Sequence, residues 1–385
     1  MKFNVIRADF DRAEFLEKYW QKEPVIIRQL IPEFTDLISP EELAGCACEE
    51  LVESRVITEF TPDDYQLQNG PFTEKDFTGL PEENWTLLVQ AMDQWFEEIA
   101  NLREQFNFVP SWRVDDVMIS FASNNAGVGP HFDNYDVFLL QGMGRRRWRV
   151  GQRCDDATAL RDSSQVKLLQ DFIQSAEYEL EAGDALYIPP RVAHWGTSLG
   201  DSLCYSIGFR APSYGEMLEG FSDFLIRSSK SEDRFEDPSP HIPADVNEID
   251  SHSLDLSFQA IKSQLEQPLL FKQWFGCHVT QAKYPELIEP LDEESLEVLE
   301  AALEDASSVS HHPSSRFAYM SVDEQQLLLF VDGNAALFDQ SLSGMLKRLC
   351  KSTAISGDEL DEFLNIPTIR ELLLKLLTEG SLIID

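Results

Sequence analysis

Three residues of this chain have the types and spacing to hold one metal ion: His131 and Asp133, in the motif H-x-D, and His194, far downstream in IPPRVAHWG. Two neutral imidazoles and one carboxylate fill three positions of an octahedral Fe(II) and leave the others open for O2 and a chelating co-substrate. Residues two apart on a strand point to the same side, so a strand carrying His131 and Asp133 presents both together. His194 must then arrive on a distant strand folded alongside. These two histidines stand apart because each lies beside a strand pattern and a proline-containing turn. His241, His252, His278, His311 and His312 fall in polar or linker-like sequence and are read as solvated.

A second cluster follows the H-x-D pair. In GRRRWRVG, strand alternation places Arg146, Trp148 and Val150 on one face and Arg145, Arg147 and Arg149 on the other. Trp148 and Val150 are apolar, so theirs is the face turned to the core and Arg146 is carried inward with them. A buried guanidinium is costly unless it meets an anion, and its planar fork suits a carboxylate. That carboxylate is either an internal Asp or Glu or the far end of a small dicarboxylate whose other end chelates the metal; 2-oxoglutarate has this shape. Arg145, Arg147 and Arg149 are expected to form a solvated face paired with local acids.

The elements that must position these residues are short strands. From Trp112 to Arg210 the runs WRVDDVMISFAS, YDVFLLQG, RRRWRVG, YELEAGDALYIPP and SLCYSIGFRAP follow one another between turns, without long helices. That pattern predicts a β-sandwich or barrel of the jelly-roll kind. Before it, DRAEFLEKYW and ISPEELAGCACEE read as helices, PVIIRQLIP and ESRVITEF as strands. Residues 81–106 place Trp85, Leu88, Ala91, Trp95 and Ile99 on one face and predict a single amphipathic helix. After Ser213 the chain becomes helical. YGEMLEGFSDFLIRS is followed by a charged, proline-bearing linker and then by SLDLSFQAIKSQLEQ, whose Leu254, Phe258, Ile261 and Leu265 form one stripe. Pro268 opens a further helix that Gly276 is expected to close. The stripe suits internal packing or a homodimer interface. Beyond Cys277, a hairpin at Asp332-Gly333-Asn334, three short helices and a closing strand suggest a winged-helix-like module. The expected domains are 1–212, a catalytic jelly roll; 213–276, a helical linker and dimerisation segment; and 277–385, the winged-helix-like part.

At 385 residues with 43% hydrophobic content, the chain has the composition of a soluble globular protein. Its 68 acidic and 31 basic residues give a formal net charge of −37. Such a surface repels a phosphate backbone and disfavours direct nucleic-acid binding, in the terminal module as well, whose helices are rich in Asp and Glu. A basic partner fits it better. The six cysteines offer only a C-x-C at Cys46 and Cys48, without a second pair to complete a zinc site. No signal-peptide pattern and no membrane-length apolar run occurs, so a cytoplasmic protein is expected.

The segments GPHFDNYDVFLLQGMGRRRWRVG, AGDALYIPPRVAHWG and YWQKEPVIIR resemble the bacterial ribosomal oxygenases of the JmjC-containing family, with a double-stranded β-helix (cupin) catalytic domain. Within it, the likeness is to members that hydroxylate an arginine of the sixteenth large-subunit ribosomal protein. The resemblance implies that His131, Asp133 and His194 ligate Fe(II) and that Arg146 binds the distal carboxylate of 2-oxoglutarate. It places Ser120, on the strand before the H-x-D turn, at a position that hydrogen-bonds the same carboxylate. It also implies oxidative decarboxylation of 2-oxoglutarate to succinate and CO2 with O2 as oxidant, and a basic ribosomal protein as substrate. Asn134 or Asp136, beside the ligand pair, is a candidate contact for a substrate guanidinium. The rivals are a JmjC histidine hydroxylase or lysine demethylase, a non-catalytic cupin-like scaffold, and a sugar-binding or isomerase cupin.

Overall fold

The first 211 residues supply most of the strands that the apolar alternation requires. In the computed structural model, which describes residues 4–384 apart from 8–9, 62–63, 163–165, 231, 238–239, 241, 243–244, 292–295 and 352–353, the chain divides into two compact units, Met1–Ala211 and Pro212–Asp385. His241 and part of the expected linker lie outside the described residues.

The first unit begins with β1 (Asn4–Arg7), α1 (Arg12–Lys18), β2 (Val25–Arg28) and α2 (Pro40–Cys46). Then come β3 (Ser54–Thr61), β4 (Asp64–Asn69), α3 (Glu74–Thr78), β5 (Trp85–Val89) and α4 (Glu97–Glu104). The jelly-roll strands follow: β6 (Val114–Ala122), β7 (Val137–Gln141), β8 (Arg146–Arg153), β9 (Ala176–Leu180), β10 (Ala185–Ile188), β11 (Val192–Ser198) and β12 (Ser202–Phe209). Nine strands form one sheet in the order β1-β2-β10-β7-β12-β6-β5-β3-β4, and β11-β8-β9 form a smaller one. Between them Ile26, Leu139, Leu186 and Cys204 meet Trp148, Val150 and Val192 in one buried cluster.

Capping fixes where the helices start. Asp11 accepts from the backbone N–H groups of Ala13 and Glu14, and Ser39 with Glu42 forms a capping box on α2. Helix α1 delivers Phe15, fully buried, against Phe108, Phe138 and Tyr187. Its truncation to alanine is expected to cost about 3–5 kcal/mol.

The amphipathic helix expected over 81–106 does not form. Residues 85–89 are instead strand β5, hydrogen-bonded between β3 and β6 and buried from Thr86 to Val89. A strand covered on both faces carries a continuous apolar run, which side-chain periodicity cannot tell from a buried helical stretch. Ala91, at φ 52°, turns the chain before a 3-10 turn at Met92–Gln94, and the helix resumes only at Glu97.

The second unit holds α5 (Tyr214–Ser228), α6 (Ser251–Leu265), α7 (Pro268–Val279) and α8 (Leu296–Glu304). After them run β13 (Ser308–His311), β14 (Phe317–Ser321), β15 (Gln326–Val331), β16 (Asn334–Asp339) and α9 (Ser343–Leu349). The unit ends with β17 (Ile355–Ser356), α10 (Gly357–Leu364), α11 (Pro367–Thr378) and β18 (Leu382–Ile384). Strands β14-β15-β16 form one small sheet and β17-β13-β18 another, packed with α9, α10 and α11 on a leucine-rich core. The β15–β16 hairpin turns at Asp332 and Gly333, both at positive φ.

Gly276 does not close α7, which continues to Val279. It lies inside the helix, and the absence of a side chain makes room for Phe330, since a Cβ there would fall 2.2 Å from that ring. The α6 stripe is not internal packing within its unit: Leu254, Phe258 and Ile261 are each more than 60% exposed. Three histidines expected to be solvated are half-buried. His278 stacks on Trp274, His311 on Phe317, and His312 accepts from the Ser314 N–H. Among the described residues no helix is long and apolar enough to cross a membrane.

Candidate metal centre and anion clamp

His131 and His194 meet across an isolated β-bridge, exchanging backbone hydrogen bonds of 3.1 and 2.8 Å. Each ring is oriented by a carbonyl two residues earlier: His131 Nδ1 lies 2.9 Å from the Gly129 oxygen, and His194 Nδ1 3.0 Å from that of Val192. A ring nitrogen facing a carbonyl carries the proton, so each Nε2 keeps its lone pair for a metal. Asp133 Oδ2 sits 3.6 Å from His194 Nε2 and 4.0 Å from His131 Nε2. Among the described residues these three form the single cluster with metal-ligand spacing. Burial, reinforced by the neighbouring His131, pushes the His194 pKa down to about 4, so its imidazole is neutral. His194 forms the inner wall, while His131 and Asp133 remain about one-fifth exposed and leave one side open.

The strand expected under H-x-D is reduced to that single bridge. Residues 132–136 form a loop, and the Asp133 carbonyl accepts the Arg191 N–H at 2.6 Å. Strand parity therefore does not bring Asp133 to the site; the loop does. Upstream of the loop, Gly127 lets the chain pass close to β11, because a Cβ there would stand 2.1 Å from the Gly196 oxygen.

Arg146 turns inward as expected. It is 6% exposed, on the same face of β8 as Trp148 and Val150. Its Nε donates to Ser202 Oγ at 2.8 Å and its Nη1 to Ser120 Oγ at 2.8 Å. Its Nη2 donates to the Ser120 and Ser202 carbonyls at 2.9 and 3.2 Å. All these acceptors are neutral, and no Asp or Glu among the described residues pairs with it. The internal-acid alternative thus loses its partner. Burial pushes the Arg146 pKa down, as expected for a cation removed from water without a counter-charge. Such a site carries a desolvation penalty on the order of several kcal/mol, which an incoming anion relieves.

Ser120 faces the interior rather than water. It is 4% exposed and holds the Arg146 fork, its hydroxyl accepting from Nη1 and its carbonyl from Nη2. The three remaining arginines form the expected outer face. Arg147 meets Glu179 at 3.0 Å, Arg149 meets Glu177 at 3.2 Å and stacks over Trp195, and Arg145 lies 3.8 Å from Glu179.

Asp136 does not face the metal pocket. It is fully buried, held by Tyr187, Gln21 and Arg113, while Asn134 is exposed. The sequence reading passed over Asp116 and Tyr135. Asp116 is 3% exposed and accepts from Gln90 Nε2 at 2.7 Å. The Tyr135 hydroxyl bonds Asp133, and its pKa is raised by burial of that end and then by the charges of Asp133 and Asp116. Asp116 and Asp133 thus both lie near the Tyr135 hydroxyl. The available signal was the pair of acids interrupting the apolar strand WRVDDVMIS.

The JmjC domain family matches residues 101–217 and the ROXA-like winged helix residues 263–382. A protein of Escherichia coli K12 named ribosomal protein uL16 3-hydroxylase is 40% identical over 279 residues, covering 72% of this chain and 73% of its own. A probable ribosomal oxygenase of Haemophilus influenzae is 32% identical over 362 residues, covering 91% and 88%. Among solved structures, the X-ray structure of E. coli ycfD superposes with a TM-score of 0.87 at 32% identity over 98% of both chains. The complex of that E. coli ribosomal oxygenase with cobalt and 2-oxoglutarate gives 0.86 at 32% identity, over 98% of this chain and 99% of the other. The jelly roll followed by a winged helix is therefore shared along the chain.

Proposed function

The chain belongs to the JmjC-domain ribosomal oxygenases, and on that premise we propose that it is an Fe(II)- and 2-oxoglutarate-dependent hydroxylase of an arginine side chain in a large-subunit ribosomal protein. The observation that carries this reading is the buried Arg146, a cation held only by neutral groups in the same interior as His131, Asp133 and His194.

The donor set fits the cofactor: two neutral imidazoles and a carboxylate suit Fe(II), with open positions on the exposed side. His131, Asp133 and His194 would hold the metal. Arg146 and Ser120 would take the distal carboxylate of 2-oxoglutarate, which aims the 2-oxo acid at the metal. When bound, the iron with 2-oxoglutarate and O2 supplies the oxidation, and succinate and CO2 are the co-products. The protein positions the substrate C–H bond and excludes competing water.

An arginine substrate is supported by three features. The E. coli relative acts, by its name, on uL16. The net charge of −37 favours a basic partner. Tyr135, 43% exposed beside Asp133, offers an aromatic face to a guanidinium, with the charge of Asp116 behind it. Segment 213–276 is proposed as a homodimer interface, since the α6 stripe of Leu254, Phe258 and Ile261 leaves a long apolar face uncovered in its unit. We also assign residues 1–212 as the catalytic domain and 277–385 as the winged-helix part.

The test is mass spectrometry of recombinant basic large-subunit proteins, uL16 first, after incubation with the enzyme, Fe(II), 2-oxoglutarate and O2. A gain of one oxygen atom localised to an arginine is expected. The same gain on a histidine, or loss of methyl groups from lysine, would replace this reading with a rival activity. Failure to form succinate with any basic substrate, joined to failure to bind metal, would leave a scaffold.

A further inference from the structure

The loop that carries Asp133 is tied down by one buried carboxylate, and we propose that this carboxylate, Asp136, is a positioning residue that sets the metal-binding geometry by acting through Asp133. The inference rests on the reading of His131, Asp133 and His194 as metal ligands.

Only His131 in this segment belongs to a strand pairing, yet Asp133 must keep its carboxylate within 4.0 Å of both imidazoles. Two backbone bonds hold the loop, from Arg191 N to the Asp133 carbonyl and from Phe209 N to that of Asp136, at 3.0 Å. A pair of main-chain bonds and the local Tyr135–Asp133 hydrogen bond hold the loop, but neither of the exposed residues between them, Asn134 and Tyr135, anchors it in the core. The Asp136 side chain supplies that anchor. It is fully buried and accepts from the Tyr187 hydroxyl at 2.5 Å, Gln21 Nε2 at 3.0 Å and Arg113 Nη2 at 3.3 Å.

Those donors come from three separate parts of the unit: the turn after α1, the residue before β6, and the middle of β10. The network also closes on itself. The Tyr187 oxygen accepts the Gln21 backbone N–H at 2.8 Å, Trp20 stacks on Tyr187, and Arg113 lies over the Trp20 ring. A buried carboxylate met by three donors in a rigid aromatic shell has one favourable placement. Three residues along the chain, that placement fixes where the Asp133 carboxylate can point. The N-terminal stretch through Gln21 lies outside the JmjC match at 101–217, yet it becomes part of the support of the metal site.

The test titrates Co(II) into metal-free protein, following its d–d absorption, for the wild type, Tyr187→Phe, Gln21→Ala and Asp133→Ala, with thermal unfolding of each metal-free form. Loss of an outer partner of a ligand typically weakens metal binding by about 10–100-fold, so Tyr187→Phe is expected to raise the Co(II) Kd by about tenfold. Gln21 is exposed, so its alanine variant is expected to fold and to shift the Kd the same way by a smaller factor. It carries the test should Tyr187→Phe not fold. In the Asp133→Ala background, Tyr187→Phe is expected to add no further loss, because the coupling runs through the missing carboxylate. An unchanged Kd in both single variants overturns the proposal, as does an equal loss with and without Asp133. Wild-type protein that binds no Co(II), or an Asp133→Ala variant that binds as well as wild type, would instead overturn the ligand assignment itself.

Discussion

His194 and Arg146 stand on adjacent antiparallel strands, four ladder positions apart and facing the same interior. His194 pairs with Val150, Gly196 with Trp148, and Ser198 with Arg146. At about 3.4 Å per residue the two backbones are separated by roughly 14 Å of strand, a span suited to an imidazole, a small dicarboxylate and an arginine side chain placed end to end. Gly196 at the midpoint leaves room for the Trp148 ring.

Arg146→Ala is expected to raise the 2-oxoglutarate concentration needed for half-maximal succinate formation by roughly 10–100-fold, the equivalent of the ~1.5–3 kcal/mol of a charged hydrogen bond. Arg146→Lys, which keeps the charge and loses the fork, should fall between it and wild type. Calorimetry on Co(II)-loaded protein checks binding apart from turnover. An unchanged requirement in the alanine variant would contradict the clamp.

Ser120→Ala removes the acceptor of Arg146 Nη1 without altering the metal ligands. Its expected signature is a 2-oxoglutarate Kd raised by a few-fold, about 1 kcal/mol, with Co(II) affinity unaltered. Because Ser120 and Arg146 act on one carboxylate, the double variant should lose less than the two single losses combined.

His131→Ala, Asp133→Ala and His194→Ala should each abolish turnover and leave protein that retains little Fe(II) by elemental analysis. Chelation of the wild type should do the same reversibly, with activity returning on addition of Fe(II). Full activity in a thoroughly chelated sample would rule out a metal centre here.

Gly196→Ala places a Cβ 2.8 Å from the Trp148 ring. Overpacking of this kind costs about 1–3 kcal/mol, so a lower melting temperature is expected. Because Trp148 lies between the metal site and Arg146 on the ladder, weaker 2-oxoglutarate binding should accompany it. A variant as stable as wild type would mean that the strands separate more readily than the register implies.

Phe258→Glu together with Ile261→Glu should convert a dimer to monomers in analytical ultracentrifugation, since two charges on the stripe could be buried only at high cost. A wild type that sediments as a monomer at all concentrations would refute the interface.

The sequence alone determined the chemistry and the parity. Residue types named a metal triad, and the alternation in RRRWRV singled out Arg146 as the inward arginine, because period-two geometry is local and survives into any sheet. The jelly-roll strands and the β15–β16 turn were legible for the same reason. Where environment decides, the local pattern misled. The run from Trp85 to Val89 fits a helix by periodicity and became a strand because β3 and β6 cover both its edges. The H-x-D segment became a loop because β11 pairs with it only at His131. Asp136 looked like a substrate contact by proximity in sequence and is a buried anchor because Gln21, Arg113 and Tyr187 converge on it from elsewhere. Above all, only the folded structure established that no acid among the described residues pairs with Arg146. The partners of a buried charge are long-range contacts, and no local spacing records them.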